Sequence, residues 1–112
     1  TTLADELNTV PATLPALMYA QKMQKRAARK GAFAQTAEDA AVALKAAERG
    51  WEEAVPENAA ERAGALLFAA ANAMRLAGVD AEEALTFASG RFRQELLQKT
   101  EDSDGQERPA TV

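Results

Sequence analysis

The sequence contains no cysteine and no histidine. Without thiols, disulfide bonds, zinc–thiolate sites and thiol nucleophiles are excluded, and without imidazole the usual general base near neutral pH is missing. Catalysis would therefore depend on carboxylates, lysine, arginine, tyrosine or hydroxyl groups. A bound metal would need oxygen ligands, which favours Mg²⁺, Mn²⁺ or Ca²⁺.

Aromatic residues are also scarce, at 5% of the 112 residues, although apolar residues together make up 47%. Much of that apolar fraction is alanine, which buries little area per residue. The sequence therefore predicts one domain with a thin core. We expect a second copy of the chain to complete this core, in a homodimer or a dimer of dimers.

Long apolar runs are absent, and so is a signal-peptide pattern. The formal net charge is −4, from 13 basic and 17 acidic residues, which argues against a general nucleic-acid-binding protein. We expect no membrane partner, no nucleic-acid partner and a cytoplasmic location. The chain begins with Thr1 rather than methionine, which fits a processed chain or a fragment of a two-domain protein.

Apolar residues at helical spacing predict four helices and no strand. The first covers residues 14–30, the second begins at Thr36, the third runs from Asn58 to Gly78, and the fourth begins at Asp80. The predicted N-caps are Thr13, Thr36, Asn58 and Asp80, and each of the last three is followed three positions later by an acidic residue. Short connections between the helices predict antiparallel neighbours, as in a bundle.

The predicted helical domain covers residues 13–99. An irregular lead-in is expected at residues 1–12. Residues 100–112 are polar and aperiodic and predict a disordered tail. The apolar stripes expected to face the core are Ala40, Leu44, Ala47 and Trp51 on the second helix, Ala63, Leu67, Ala70 and Met74 on the third, and Leu85, Ala88, Phe92 and Leu96 on the fourth.

Two stretches of the chain carry a family likeness. Residues 10–31 contain a Leu-Pro-Ala-Leu entry and a glycine exit, and residues 61–68 read Glu-Arg-Ala-Gly-Ala-Leu-Leu-Phe. The first resembles the opening helix of the MazG family of nucleotide pyrophosphohydrolases, and the second resembles that family's Glu-Glu-Leu-Gly-Asp-Leu-Leu-Phe segment. The likeness continues through Asn72, Arg75, Gly78-Val79-Asp80 and Glu82-Glu83-Ala84-Leu85 and covers most of residues 9–97.

The resemblance implies an all-α, four-helix fold in which helices from two chains form a common core. Enzymes of this family cleave nucleoside triphosphates between the α- and β-phosphates, giving the monophosphate and pyrophosphate. They hold Mg²⁺ with a Glu-x-x-Glu pair on the second helix and a Glu-x-x-Asp pair on the third.

The family's four ligand positions fall on Ala47, Gly50, Arg62 and Ala65. None of these residues is a carboxylate and one is a cation, so nothing there compensates the charge of Mg²⁺. We therefore predict a non-catalytic MazG-like domain that acts in oligomerisation, scaffolding or regulation without a cofactor. Its expected partner is itself or a second MazG domain. We expect Arg62 to lie at the vacated metal position as a tethered cation.

Carboxylates elsewhere leave an enzyme as the alternative hypothesis. Glu48 and Glu52 are four residues apart, as are Glu57 and Glu61, which is a spacing that suits a ligand pair. A weak or specialised Mg²⁺-dependent nucleoside triphosphate pyrophosphohydrolase would use these relocated acids. The competing interpretation is that they form a solvated face and that Glu61 belongs to a helix cap.

A nucleotide sensor that binds without hydrolysis is the third hypothesis. Residues 89–95 keep part of the family's phosphate-contact pattern, with Arg91 in place of a lysine and Arg93 as an extra cation, while Glu95 would repel a phosphate. Trp51 is a candidate for stacking on a base, or else it packs in the core or the dimer seam.

A basic cluster on the first helix would suit an anionic ligand or an acidic partner, or would form a solvated face. Its members are Lys22, Lys25, Arg26, Arg29 and Lys30.

Overall fold

The computed structural model describes residues 1–33 and 36–107, with side chains described through Ser103. Over these residues the chain is entirely helical and contains no strand, which confirms the all-α class. Five helices are present rather than the four that were predicted. They are α1 (Leu3–Asn8), α2 (Ala16–Arg29), α3 (Ala37–Glu52), α4 (Ala59–Leu76) and α5 (Ala81–Glu107).

The chain divides into two compact units, the first ending at Glu82 and the second beginning at Glu83. In the first unit, α3 and α4 make the most extensive contact, α4 also packs against α2, and α2 packs against α1. Among the described residues, every helix is too short or too polar to traverse a lipid bilayer.

The N-terminal segment differs from its prediction. An irregular lead-in was expected over residues 1–12, but Leu3–Asn8 forms α1. Thr2 starts this helix with a capping box, in which the amide of Asp5 donates to Thr2 Oγ1 at 3.1 Å and the amide of Thr2 donates to Asp5 Oδ2 at 3.2 Å. Six residues are too few to show an apolar stripe, so this capping pair was the one local signal of the helix.

Helix ends follow the capping signals in most places. Thr36 Oγ1 accepts from the amide of Asp39 at 3.1 Å, as predicted for the start of α3. Gly31 and Gly78 follow α2 and α4 with φ of 73° and 77°, a conformation that glycine adopts without strain. Asn58 does precede α4, but its Oδ1 accepts from the amide of Val55 at 2.9 Å, so its side chain stabilises the α3–α4 turn instead of capping α4.

The core of the chain is thin, as the alanine content predicted. Among the residues with described side chains, the buried apolar ones are Val10 and four alanines: Ala28, Ala40, Ala71 and Ala81. Larger apolar side chains such as Trp51, Leu67 and Met74, all expected in core-facing stripes, lie largely exposed. The buried apolar residues of α3 and α4 are thus one alanine each, Ala40 and Ala71.

Polar side chains of α2 supply much of its attachment to α4. Gln21 Nε2 donates to the carbonyl oxygens of Ala71 (2.9 Å) and Val79 (3.1 Å), and Gln21 Oε1 accepts from the amide of Ala81 at 3.0 Å. Glu82 Oε1 accepts from the amide of Leu17 at 3.2 Å, in the first turn of α2. These bonds fix the turn between α4 and the start of α5.

Helix α5 is longer and more exposed than expected. A disordered tail was predicted from Thr100, but the helix continues to Glu107, and Thr100 Oγ1 donates to Leu96 O at 2.8 Å. No proline lies between Ala81 and Pro109 to stop this helix. Residues 108–112 of the predicted tail lie outside the described residues. The stripe predicted to face the core, formed by Leu85, Ala88, Phe92 and Leu96, is exposed along its whole length.

Candidate functional site

Two of the four positions at which the family carries metal ligands are in contact where α3 meets α4. Gly50 lies in the last turn of α3 and Arg62 in the first turn of α4. Arg62 Nη1 donates to the carbonyl oxygen of Gly50 at 2.8 Å, and a Cβ built on Gly50 would lie 3.9 Å from Arg62 Cδ. Arg62 as a whole residue is partly exposed, and its hydrogen bond to Gly50 is part-buried.

This contact has a clear local cause. The last four carbonyl groups of a helix have no partner within the helix. At the end of α3, the amides of Glu53 and Ala54 donate to Arg49 O and Trp51 O, each at 3.1 Å, and Arg62 supplies the donor for the carbonyl of Gly50. A cation at the C-terminal end of a helix also interacts favourably with the helix dipole. Arg62 therefore acts as a C-cap for α3 and joins it to α4.

The other two ligand positions, Ala47 and Ala65, differ in their exposure to solvent. Ala47 lies one turn before Gly50 and is half-buried, whereas Ala65, one turn after Arg62, is exposed. None of the four positions presents an oxygen ligand from its side chain. The one polar side chain among them is a guanidinium, which donates hydrogen bonds and carries positive charge.

The four relocated acids lie on the surface of the single chain. Glu48, Glu52, Glu57 and Glu61 are all exposed. Across residues 1–33 and 36–107, no group of three or more acidic side chains converges with metal-binding geometry. This arrangement favours the solvated-face interpretation of these glutamates.

The candidate nucleotide contacts lie in different units of the chain. Arg91 belongs to the second unit, where its Nε lies 3.4 Å from Glu95 Oε1, so a carboxylate already occupies the place of an anionic ligand. Arg93, also in α5, is exposed. Trp51 belongs to the first unit, and 46% of its surface is exposed. The structure does not bring these residues together within either unit.

Two further residues of the family likeness interact within α4. Asn72 is buried, and its Oδ1 accepts from Arg75 Nε at 2.9 Å. Burial lowers the pKa of the Arg75 guanidinium from its usual value. The bond between these two residues lies within α4.

The basic cluster of α2 interacts with the N-terminal segment, which the sequence did not reveal. Glu6 Oε2 lies 3.4 Å from Arg26 Nη1 and 3.7 Å from Arg29 Nη1. Lys30 Nζ donates to the carbonyl oxygen of Thr1. Glu6 was not identified from the sequence, because it lies in a segment expected to be irregular. One signal was present: the basic helix that follows contains no acidic residue of its own to pair with its cations.

The sequence matches no protein-family model, and no curated protein resembles it significantly. The likeness to MazG proteins therefore depends on the quoted residues alone.

Proposed function

We propose that this chain is a MazG-like domain that no longer hydrolyses nucleotides and that functions by pairing with another such domain, most simply a second copy of itself. The observation that carries the proposal is the hydrogen bond from Arg62 to the carbonyl oxygen of Gly50. It lies between two positions at which the family resemblance would put metal-binding carboxylates.

The chemistry of this contact is opposite to that of a metal site. Mg²⁺ requires several oxygen ligands whose negative charge compensates its own. Arg62 brings a positive charge to the same place and would repel the ion. The guanidinium also links α3 to α4. In a metal site with carboxylates on both helices, the bound ion would make this link. The helix pair thus remains closed without a metal.

The surface of α4 supports the pairing part of the proposal. Ala60, Gly64, Leu67, Ala71 and Met74 follow one another at intervals of four, three, four and three residues, which is the spacing of a helix–helix seam. Leu67 and Met74 are 60% and 40% exposed, and Ala60 and Gly64 are small enough for close approach. Ala71, near the middle, is already buried within its own chain. We call these five residues the α4 seam.

Burial of the α4 seam by a partner would offset the thin core. Fully burying a leucine or methionine side chain contributes about 1.5–3 kcal/mol, and a symmetric pair gains each contribution twice. Trp51 and Val55, near the end of α3, are also about half exposed.

The pairing is tested by the oligomeric state of seam variants. We expect sedimentation equilibrium to show an assembled wild-type chain and a monomeric Leu67→Asp, Met74→Asp variant. Val42→Asp is the matched control, because Val42 is 70% exposed but lies on the outer face of α3. A wild-type monomer, or equal dissociation in the control, would overturn the pairing.

The loss of catalysis is tested in both directions. We expect no Mg²⁺- or Mn²⁺-dependent pyrophosphate release from any common nucleoside triphosphate; release that is abolished by changing Glu48 or Glu61 would establish the enzyme alternative instead. Restoring carboxylates should restore metal binding in calorimetry, in a variant with Ala47→Glu, Gly50→Glu, Arg62→Glu and Ala65→Asp. The control carries the same number of carboxylates at exposed positions of α3, namely Ala37, Ala41, Ala43 and Ala46.

A further inference from the structure

One face of α2 is strongly basic although the chain as a whole is acidic. The five cations lie at intervals that place them on a single helix face, and residues 16–30 include no aspartate or glutamate. The opposite face carries Gln21, Gln24 and Ala28, which are half-buried or buried. We call the cationic side the α2 basic face; it consists of Lys22, Lys25, Arg26, Arg29 and Lys30.

A carboxylate of the chain itself occupies the middle of this face. The Nη1 atoms of Arg26 and Arg29 approach the same atom, Glu6 Oε2, at 3.4 and 3.7 Å. The Glu6 side chain is 14% exposed, so two guanidinium groups and α1 enclose most of it. Both distances exceed the ~2.7–2.9 Å of a strong charge-assisted hydrogen bond. The contacts of Glu6 with the two guanidinium groups are therefore longer than strong hydrogen bonds.

The helix that carries Glu6 is lightly attached. All six residues of α1 are at least partly exposed, and among the described residues Lys30, just after α2, also donates to Thr1 O, just before α1. The nearest buried anchor, Val10, follows α1 in the chain. Helix α1 itself contributes no buried residue to its contact with α2.

We propose that the α2 basic face is a binding site for a phosphate-bearing anion and that α1 is its displaceable cover, with the Glu6 carboxylate in the place of one phosphate group. Two guanidinium groups that converge on one oxygen match phosphate well, because phosphate offers several oxygens to their paired donors. Lys22 and Lys25 are exposed beside this point and extend the positive charge for a second phosphate group. This site is independent of the proposed pairing function.

The first test removes the internal competitor. Tripolyphosphate binding, measured by calorimetry at low salt, should tighten about tenfold in Glu6→Gln, since the ligand no longer displaces a charged contact. Glu38→Gln makes the same change of charge at an exposed position of α3 and should leave the affinity unchanged. Equal tightening in both variants, or no binding in either, would overturn the proposal.

The second test removes the cations that would hold the ligand. Lys22→Gln with Lys25→Gln should weaken tripolyphosphate binding several-fold without lowering the melting temperature, because both lysines are exposed. Arg26→Gln should nearly abolish binding. Lys45→Gln, on α3, is the control for lost charge. An affinity that follows net charge alone, with Lys45→Gln equal to Lys22→Gln, would refute a localised site.

The third test observes the cover directly. Saturating tripolyphosphate should speed hydrogen exchange at the amides of Glu6, Thr9 and Val10, which are bonded within and just after α1. Slower exchange there would mean that α1 is not displaced and would overturn the cover. Parallel titrations with a nucleoside triphosphate and with anionic lipid vesicles distinguish the sources of phosphate. Binding of vesicles without tripolyphosphate would contradict a soluble ligand.

Discussion

Gln24 of α2 donates a hydrogen bond of 3.0 Å from Nε2 to the carbonyl oxygen of Phe68 in α4. The Gln24 side chain is 1% exposed, and its Oε1 has no hydrogen-bond partner among the described residues. The ring of Phe68 lies edge-on to that of Phe33, with centroids 5.9 Å apart. The α2–α4 contact thus combines one good hydrogen bond with one buried, unsatisfied acceptor.

This combination predicts opposite outcomes for two substitutions of Gln24. Gln24→Met should leave the free energy of unfolding within about 1 kcal/mol of wild type, because it keeps the volume and removes the unsatisfied oxygen together with the bond. Gln24→Ala should lower it by about 2–4 kcal/mol through the cavity it leaves. Urea denaturation at one protein concentration measures both. Equal losses would show that the amide itself, and not the packed volume, stabilises the contact.

Gln21 is predicted to be more sensitive to an apolar substitution than Gln24. Its side chain makes three hydrogen bonds, to Ala71 O, to Val79 O and from the amide of Ala81. Gln21→Leu should lower the free energy of unfolding by about 2–3 kcal/mol, because the half-buried backbone groups lose their partner. The exposed neighbour provides the control, since Lys22→Leu should change it by less than about 0.5 kcal/mol. Similar losses in the two variants would contradict the role of Gln21.

Local signals predicted the parts of the fold that local physics decides. Thr36 caps α3 and Gly78 ends α4, because a cap depends on residues within one turn of it. The bonds of Gln21 and Gln24 join residues 44 to 60 positions apart, so no short sequence pattern contains them. The apolar stripe on α5 was predicted to face the core but is exposed. Periodicity identifies an apolar face of a helix without identifying what covers it.

In the candidate site, too, the sequence indicated the positions of interest but not the contact between them. The family resemblance indicated Gly50 and Arg62 as positions of interest, and the helix-end rule explains why a carbonyl in the last turn of α3 needs a donor. Their contact depends on how α3 packs against α4, which the sequence did not specify. Glu6 was beyond prediction because its partners lie about 20 residues away in another helix.

Glycine substitutions provide a prediction that separates a glycine inside a helical turn, Gly50, from a glycine with positive φ, Gly78. Gly50→Ala should raise the free energy of unfolding by about 0.5–1 kcal/mol, because the added Cβ meets Arg62 Cδ at an ordinary contact distance of 3.9 Å and alanine favours the helix. Gly78→Ala should lower it by about 1 kcal/mol, because φ there is 77°. Thermal unfolding of both variants measures the difference. A destabilised Gly50→Ala would mean that the α3–α4 contact has no room for a methyl group.

The Arg62 bond is tested by separating its hydrogen bond from its charge. Arg62→Met keeps most of the aliphatic stem but leaves the Gly50 carbonyl without its donor, and should lower the free energy of unfolding by about 1–2 kcal/mol. Arg62→Lys keeps a cation near the end of α3 and should recover part of that loss.

Arg49→Met is the matched control for Arg62→Met. Arg49 is an exposed cation in the last turn of α3, the turn that contains the Gly50 carbonyl bound by Arg62. The Arg49→Met substitution should cost less than about 0.5 kcal/mol. If Arg49→Met and Arg62→Met were equally destabilised in urea denaturation, general attraction to the helix dipole would explain both. A larger loss in Arg62→Met, unchanged in high salt, would instead assign the effect to the specific bond, since salt screens exposed charges far more than a half-buried hydrogen bond.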